Sequence, residues 1–134
     1  MRPPAVFDAS LLVRAAFDEK PAARRWTSRA ESGEITVLAP ALIWAEVVHA
    51  FVRYVRGGHL TAESAHERLL WLLQLPIRSE PIESLALAAL PRALASGGSG
   101  YDAYYLVLAE AADATLVTAD RRLAKAASSA ELIA

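Results

Sequence analysis

The chain is built from short strand-like runs, none longer than four residues, separated by stretches with helical spacing. This alternation constrains the fold more than any other feature. The runs are residues 5–8, 35–38, 76–79, 115–118 and 131–133, and the helix-like stretches are 21–31, 41–56, 61–74, 82–95, 101–112 and 120–127. Strands that alternate with helices require crossover connections, which predicts an α/β fold: a central parallel β-sheet of four or five short strands flanked by helices. Gly57-Gly58 closes one helix and Thr61 opens the next, while Gly97-Gly98-Ser99-Gly100 lies between two helices of the same unit. Residues 1–134 therefore read as one domain. In such sheets ligands bind beyond the C-terminal ends of the strands, near the point where strand order reverses.

That rule singles out two carboxylates. Asp8 ends the first run, "AVFD", and Asp120 follows "TLVT", so both should emerge at the same rim. Each has a hydroxyl nearby, Ser10 two residues after Asp8 and Thr118 two residues before Asp120. Glu46 stands out differently, as the only acid in the apolar segment "ALIWAEVVHAF", where an unpaired charge is costly. Asp102 opens the helix "YDAYYLVLAE" and shares a face with Tyr105, Leu106 and Ala109.

Each residue also has a plain structural reading. Asp8 and Asp120 are placed to cap the helices that follow them, and Ser99-Gly-Tyr-Asp102 fits a capping box. Glu46 could pair with an arginine in the interior, and Ser10 and Thr118 could bond local backbone. Capping does not explain the set, because clustered carboxylates repel one another unless a cation lies between them.

Four segments, "VFDASLLV" (6–13), "PALIWAEVVHAF" (40–51), "YDAYYLVLAE" (101–110) and "TLVTADRRL" (115–123), give the chain a resemblance to the PIN-domain ribonucleases, most closely the VapC-type toxins of bacterial toxin-antitoxin pairs. The segments stand in the family's order and spread over nearly the whole sequence. The resemblance implies a PIN-like domain, cleavage of single-stranded or structured RNA, Mg²⁺ or Mn²⁺ as cofactor, and a cognate antitoxin. It carries a metal-binding acidic quartet onto Asp8, Glu46, Asp102 and Asp120, with Ser10 and Thr118 as supporting hydroxyls. Some members have a further acid shortly after the position of Asp120; this chain does not. The chemistry agrees, since Mg²⁺ prefers oxygen ligands, keeps several waters and needs no side-chain nucleophile beside it. Asp8, Asp102 and Asp120 would be the main ligands, directly or through water, with Glu46 holding or orienting a bound water.

Charge bears on the substrate. Fourteen Lys and Arg against fifteen Asp and Glu leave a net charge of −1, without the usual basic footprint of a nucleic-acid binder. Setting aside the four acids that would face metal leaves eleven against fourteen. Arg14, Arg24, Arg25 and Arg29 cluster early in the chain, and Arg121 and Arg122 stand beside Asp120; Arg14, Arg121 and Arg122 are the candidate RNA contacts.

Other readings are weaker. Glu46-Val-Val-His49 and Glu63-Ser-Ala-His66 match the Glu-x-x-His pair of di-iron bundles, but a bundle leaves no role for the strand-like runs. His49 fits a core position or one behind the acids, and His59 and His66 fit solvent-facing ones. A receiver-like, Mg²⁺-binding signalling domain also carries acids at a strand rim. Here Asp8 lacks a paired acid beside it, no strand ends in lysine, and Glu46 lies in a helix. With 54% hydrophobic residues, no cysteine, no leader-like start and no uninterrupted apolar span, a cytoplasmic protein without membrane contact is expected. Trp44, Phe51 and Trp71 on helices 41–56 and 61–74 suggest surplus apolar surface, and hence a homodimer interface or an antitoxin groove.

Overall fold

β1 (Pro4–Phe7) is the central strand because Ala5, Val6 and Phe7 are apolar on consecutive positions, which suits a strand covered on both faces. It pairs in parallel with β2 (Thr36–Pro40) on one side and β4 (Thr115–Thr118) on the other. β3 (Ile77–Glu80) and β5 (Ala130–Leu132) complete an all-parallel sheet of order β3-β2-β1-β4-β5. The computed structural model describes residues 2–17 and 21–133; Met1 and Ala134, the ends of the expected domain, lie outside the described residues. The predicted sheet is present with all five strands, each within two residues of its expected position.

The chain first adds β2 and β3 to one side of β1 and then returns to place β4 on the other. Strand order thus reverses between β1 and β4, and the segments leaving their C-terminal ends diverge into a crevice. The register sets Phe7 opposite Val117. Asp8 therefore leaves β1 beside the end of β4.

Seven α-helices surround this sheet among the described residues. α1 (Ala9–Phe17) follows β1 at once, and α2 (Pro21–Glu31), α3 (Ile43–Arg56) and α4 (Ala62–Leu73) pack against it. α6 (Gly100–Ala112) lies along β1, β2 and β4, with α5 (Ala86–Ser96) packed on it. α7 (Arg121–Ala126) joins β4 to β5. No helix among the described residues is long and apolar enough to cross a membrane.

Three expectations need correction. Residues 9–17 were not read as a helix, because Leu11, Leu12, Val13, Ala15 and Ala16 are all buried and leave almost no polar stripe to show a 3.6-residue period. The segment 82–95 is not one helix but a 3₁₀ turn at Ile82–Ser84 followed by α5, which contains Pro91. The aromatic side chains thought to mark an interface are committed to the fold. Phe51 is buried, and Trp44 and Trp71 pack against the core, the latter under the Arg24 guanidinium. Val48, Leu70 and Leu73 remain exposed on α3 and α4, but the larger open apolar face is on α5, where Leu87 is 94% exposed and Leu90 and Leu94 follow it.

Candidate functional site

The corner between β1 and α1 is organised by one buried carboxylate. Asp8 is 5% exposed, and its Oδ1 accepts hydrogen bonds from the Leu11 backbone N–H at 3.1 Å and from Ser10 Oγ at 2.7 Å. The first of these is a helix cap, so that reading of Asp8 is correct. Oδ2 accepts from Thr118 Oγ1 at 2.5 Å, across the sheet from the end of β4. A carboxylate offers about four lone-pair directions. Three are occupied here, leaving one open on Oδ2.

Ser10 and Thr118 tie the two strand ends together. Ser10 Oγ accepts the Ala119 N–H at 2.9 Å while donating to Asp8, and Thr118 Oγ1 accepts the Asp120 N–H at 2.9 Å while donating to the same carboxylate. Both hydroxyls serve Asp8 and backbone at once. The resulting ring of bonds fixes the separation of the β1 and β4 corners.

Asp120 caps α7, its Oδ1 accepting from the N–H groups of Arg122 at 2.9 Å and Leu123 at 3.3 Å. Its other oxygen takes no hydrogen bond among the described residues. Asp102 lies in the first turn of α6, whose cap is Ser99: the Ser99 hydroxyl accepts the Asp102 N–H at 3.1 Å. Half of the anticipated capping box is therefore present. Glu46 has no arginine partner among the described residues. It lies in the first turn of α3, where the helix dipole favours a negative charge, and its Oε1 accepts from the Tyr105 hydroxyl of α6 at 2.5 Å.

The electrostatics show that these four side chains share one neighbourhood. Burial raises the carboxyl pKa of Asp8, against hydrogen bonds from Thr118, Ser10 and Leu11, and the charge of Asp120 raises it further. Burial also raises that of Glu46; the Tyr105 hydroxyl opposes this, and the charges of Asp8 and Asp102 add to it. For Asp102, burial and then Asp120 raise the pKa, while Ser99 and Arg122 pull it down. Tyr105 is held far above the ordinary phenol range by burial and by Glu46, so it remains a proton donor to that carboxylate. The helices and strand ends thus gather repelling acids into the crevice, an arrangement that favours a bound cation.

The donor set fits a hard divalent ion, because every side-chain donor facing the crevice is an oxygen. Among the described residues no three acidic or imidazole side chains are already close enough to enclose an ion alone. Mg²⁺ does not need them to be, since it commonly keeps several waters and takes only one or two carboxylates. The oxygens that could take part in holding such an ion, directly or through water, are those of Asp8, Asp120 and Asp102.

Beside the acids the crevice widens into a cleft of about 760 Å³, whose walls include Ser10, Arg14, Glu46, His49, Tyr101 and Asp120. Of the early arginines only Arg14 lines it. Arg24 is bonded to the Ala15 carbonyl and stacked on Trp71, and Arg29 is paired with Glu34 over Trp26, so both serve the fold. Arg122 lies near enough to Asp102 to stabilise its charge; Arg121 is exposed beside it. His49 is exposed at the cleft, not in the core or behind the acids, and His59 and His66 are exposed as expected. Sequence reasoning missed the pairing of Tyr105 with Glu46. Its one signal was the i, i+3 spacing that puts Tyr105 on the face of Asp102.

Similarity to known proteins agrees with this geometry. The PIN domain family model matches residues 5–128, a span that holds all four acids. Ribonuclease VapC3 of Mycobacterium tuberculosis is 37% identical over 105 residues, covering 78% of this chain and 75% of that protein. The crystal structure of PAE2754 from Pyrobaculum aerophilum superposes with a TM-score of 0.77 at 26% identity, covering 98% of this chain and 91% of the other. That of VapBC2 from Rickettsia felis, bound to a DNA fragment from their promoter, gives 0.70 at 14% identity, with 98% and 99% covered. A matching family model over nearly the whole sheet and a VapC ribonuclease at this identity agree, and the chain belongs to the PIN-domain family, among its VapC-type ribonucleases.

Proposed function

We propose that this chain, one domain over residues 1–134, is a metal-dependent endoribonuclease that hydrolyses RNA phosphodiester bonds as the toxin of a toxin-antitoxin pair. The observation that carries the reading is the convergence of Asp8, Glu46, Asp102 and Asp120 on the crevice between β1 and β4, where three of the four are made harder to ionise by burial and by one another. A bound Mg²⁺ or Mn²⁺ would relieve that repulsion, lower the pKa of a water, and balance charge on the scissile phosphate. Asp8, Asp102 and Asp120 hold the ion in this reading. Glu46, fixed by Tyr105, orients the attacking water and is placed to receive its proton. Ser10 and Thr118 keep the Asp8 carboxylate in one orientation, and Arg14, Arg121 and Arg122 provide positive charge for the RNA backbone.

The receiver-like alternative is disfavoured. Glu46 enters the crevice from α3 and not from a strand end, no strand among the described residues ends in lysine, and the PIN domain family model matches residues 5–128. The partners in the proposed reading are an RNA substrate and a cognate antitoxin in the cytoplasm, with a homodimer as the form of the toxin itself. The exposed Leu87, Leu90 and Leu94 of α5 and the apolar faces of α3 and α4 supply contact surface. Light scattering of the chain alone and with the product of its neighbouring gene tests both associations, and a monomer in both samples would refute them.

The deciding experiment incubates the purified protein with a mixed RNA pool in Mg²⁺, Mn²⁺ or EDTA, with Asp8→Asn as control. Discrete cleavage that requires both the ion and Asp8 is expected. Undiminished cleavage by folded Asp8→Asn would overturn the assignment.

A further inference from the structure

The cleft beside the acids has a polarity of its own that the hydrolytic reading leaves unused. Along α3, Glu46, His49 and Arg53 recur at i, i+3 and i+7 and all line the cleft, so they lie on one helix face. At about 1.5 Å per residue, Arg53 stands roughly 10 Å from Glu46 along the axis. Charge therefore changes sign within two turns, from the carboxylate at the crevice to a guanidinium at the far end. Arg14 adds a second guanidinium from the α1 wall.

The side chains of Arg14, His49 and Arg53 make no hydrogen bond or ion pair among the described residues, whereas Arg29, Arg68 and Arg92 are bonded to carboxylates, a hydroxyl or carbonyls. Tyr101, in the first turn of α6 beside Asp102, lines the same cleft and is 67% exposed, with no ring stacked on it among the described residues. The rest of the lining is largely apolar, with Val13, Leu42 and Ala45 among it.

We propose that His49, Arg53 and Arg14 hold the phosphates of the RNA strand to one side of the scissile bond, and that Tyr101 receives an unpaired base on its ring. The inference rests on the ribonuclease reading and adds to it a binding track and a strand requirement. Phosphates next to the one at the acid crevice are repelled by Glu46 and Asp120, and the basic end of α3 supplies the opposite charge within reach. A ring at the mouth of the cleft stacks a base only if that base is free of its duplex partner.

Binding of a fluorescent, unstructured oligoribonucleotide is measured by anisotropy in EDTA at several salt concentrations, so that strand holding is read apart from hydrolysis. Arg53→Ala should weaken binding about tenfold and make the slope of log K against log salt shallower by about 0.7. Tyr101→Ala should weaken it to a similar extent with the slope unchanged, and should have no effect on a fully paired RNA. Arg25→Ala on α2, outside the cleft, is the control for loss of one positive charge and should bind as wild type. In Mg²⁺, Arg53→Ala should raise KM at nearly constant kcat. Wild-type affinity and slope in both Arg53→Ala and Tyr101→Ala overturn the track, as does the absence of RNA binding by the wild type in EDTA. If those variants bind as wild type while the wild type still cleaves, the track alone falls. If the wild type cleaves no RNA with either ion, the ribonuclease reading falls.

Discussion

Asp8 is held as a carboxylate by three donors in a place that burial makes hostile to charge. Its raised pKa sets the sign of its contribution to stability. Without a cation, the unfolded chain gives up this proton near the ordinary aspartate value of about 3.9, while the folded chain resists. The stabilisation is therefore complete below that pH and is lost as pH rises through the higher folded value. Thermal melts in EDTA should show Asp8→Asn losing less stability than wild type between about pH 4 and neutrality. The substitution is tolerable because an asparagine oxygen still accepts from Ser10 and Leu11. Its amide can donate to Thr118, whose hydroxyl then turns toward Ser10 Oγ 3.3 Å away. A steeper decline in the variant would contradict the assignment. Tyr105→Phe removes the one donor to Glu46 among the described residues and should lower kcat roughly 10- to 100-fold, the range seen when a supporting hydrogen bond is lost, with a fall in stability of about 1–3 kcal/mol, that of leaving one partly buried acceptor unpaired. Tyr105 was hard to find in the sequence for a physical reason. Its partner is 59 residues away, and only the tertiary fold brings the first turn of α3 to Tyr105 of α6.

At the scale of elements, what was legible followed the strength of the local signal. β4 and α2 fall where the sequence places them, because "TLVT" is a compact apolar run and 21–31 has a clear polar face. α1 was hidden by being buried almost all round, and the break before α5 because Ser84, the cap-type residue there, bonds back to the Pro81 carbonyl while Leu85 takes the cap position without a side-chain bond. The end of α6 at Ala112 falls where the sequence places it, although no glycine marks it. Asp113 closes that helix in the left-handed region, φ 50°, with its N–H bonded to the Ala109 and Glu110 carbonyls. A side chain there is strained, whereas glycine adopts this conformation freely. Asp113→Gly should therefore stabilise the protein, by up to about 1 kcal/mol, measured by chemical denaturation. A loss of stability would mean that the aspartate side chain contributes more than its backbone strain costs.

For the molecule as a whole, the rim shared by Asp8 and Asp120 was legible in the strand-like runs, and the resemblance brought Glu46 and Asp102 to it, but the topology that makes them meet was not. Strand order decides it. Only because β4 returns to the free side of β1 do residues near position 8 and near position 120 share a crevice. A cation placed there binds the folded form alone. At a hundred times its dissociation constant, Mn²⁺ should add about 2.7 kcal/mol of stability, read as an upward shift in Tm that EDTA reverses and Asp8→Asn lacks. An equal shift in that variant would place the ion elsewhere.

The bond from Thr118 to Asp8 spans 110 residues of sequence. Synthesis proceeds from the N-terminus, so a nascent chain already contains Asp8, Glu46 and Asp102 when most of it has emerged, yet Asp8 still lacks Thr118 and the strand that carries it. Products terminated before β4 have three of the four acids without the site. On the ribonuclease reading, the cell that makes this protein is exposed to its activity only by chains that extend past β4, and a round of translation interrupted before it leaves a fragment without the complete site.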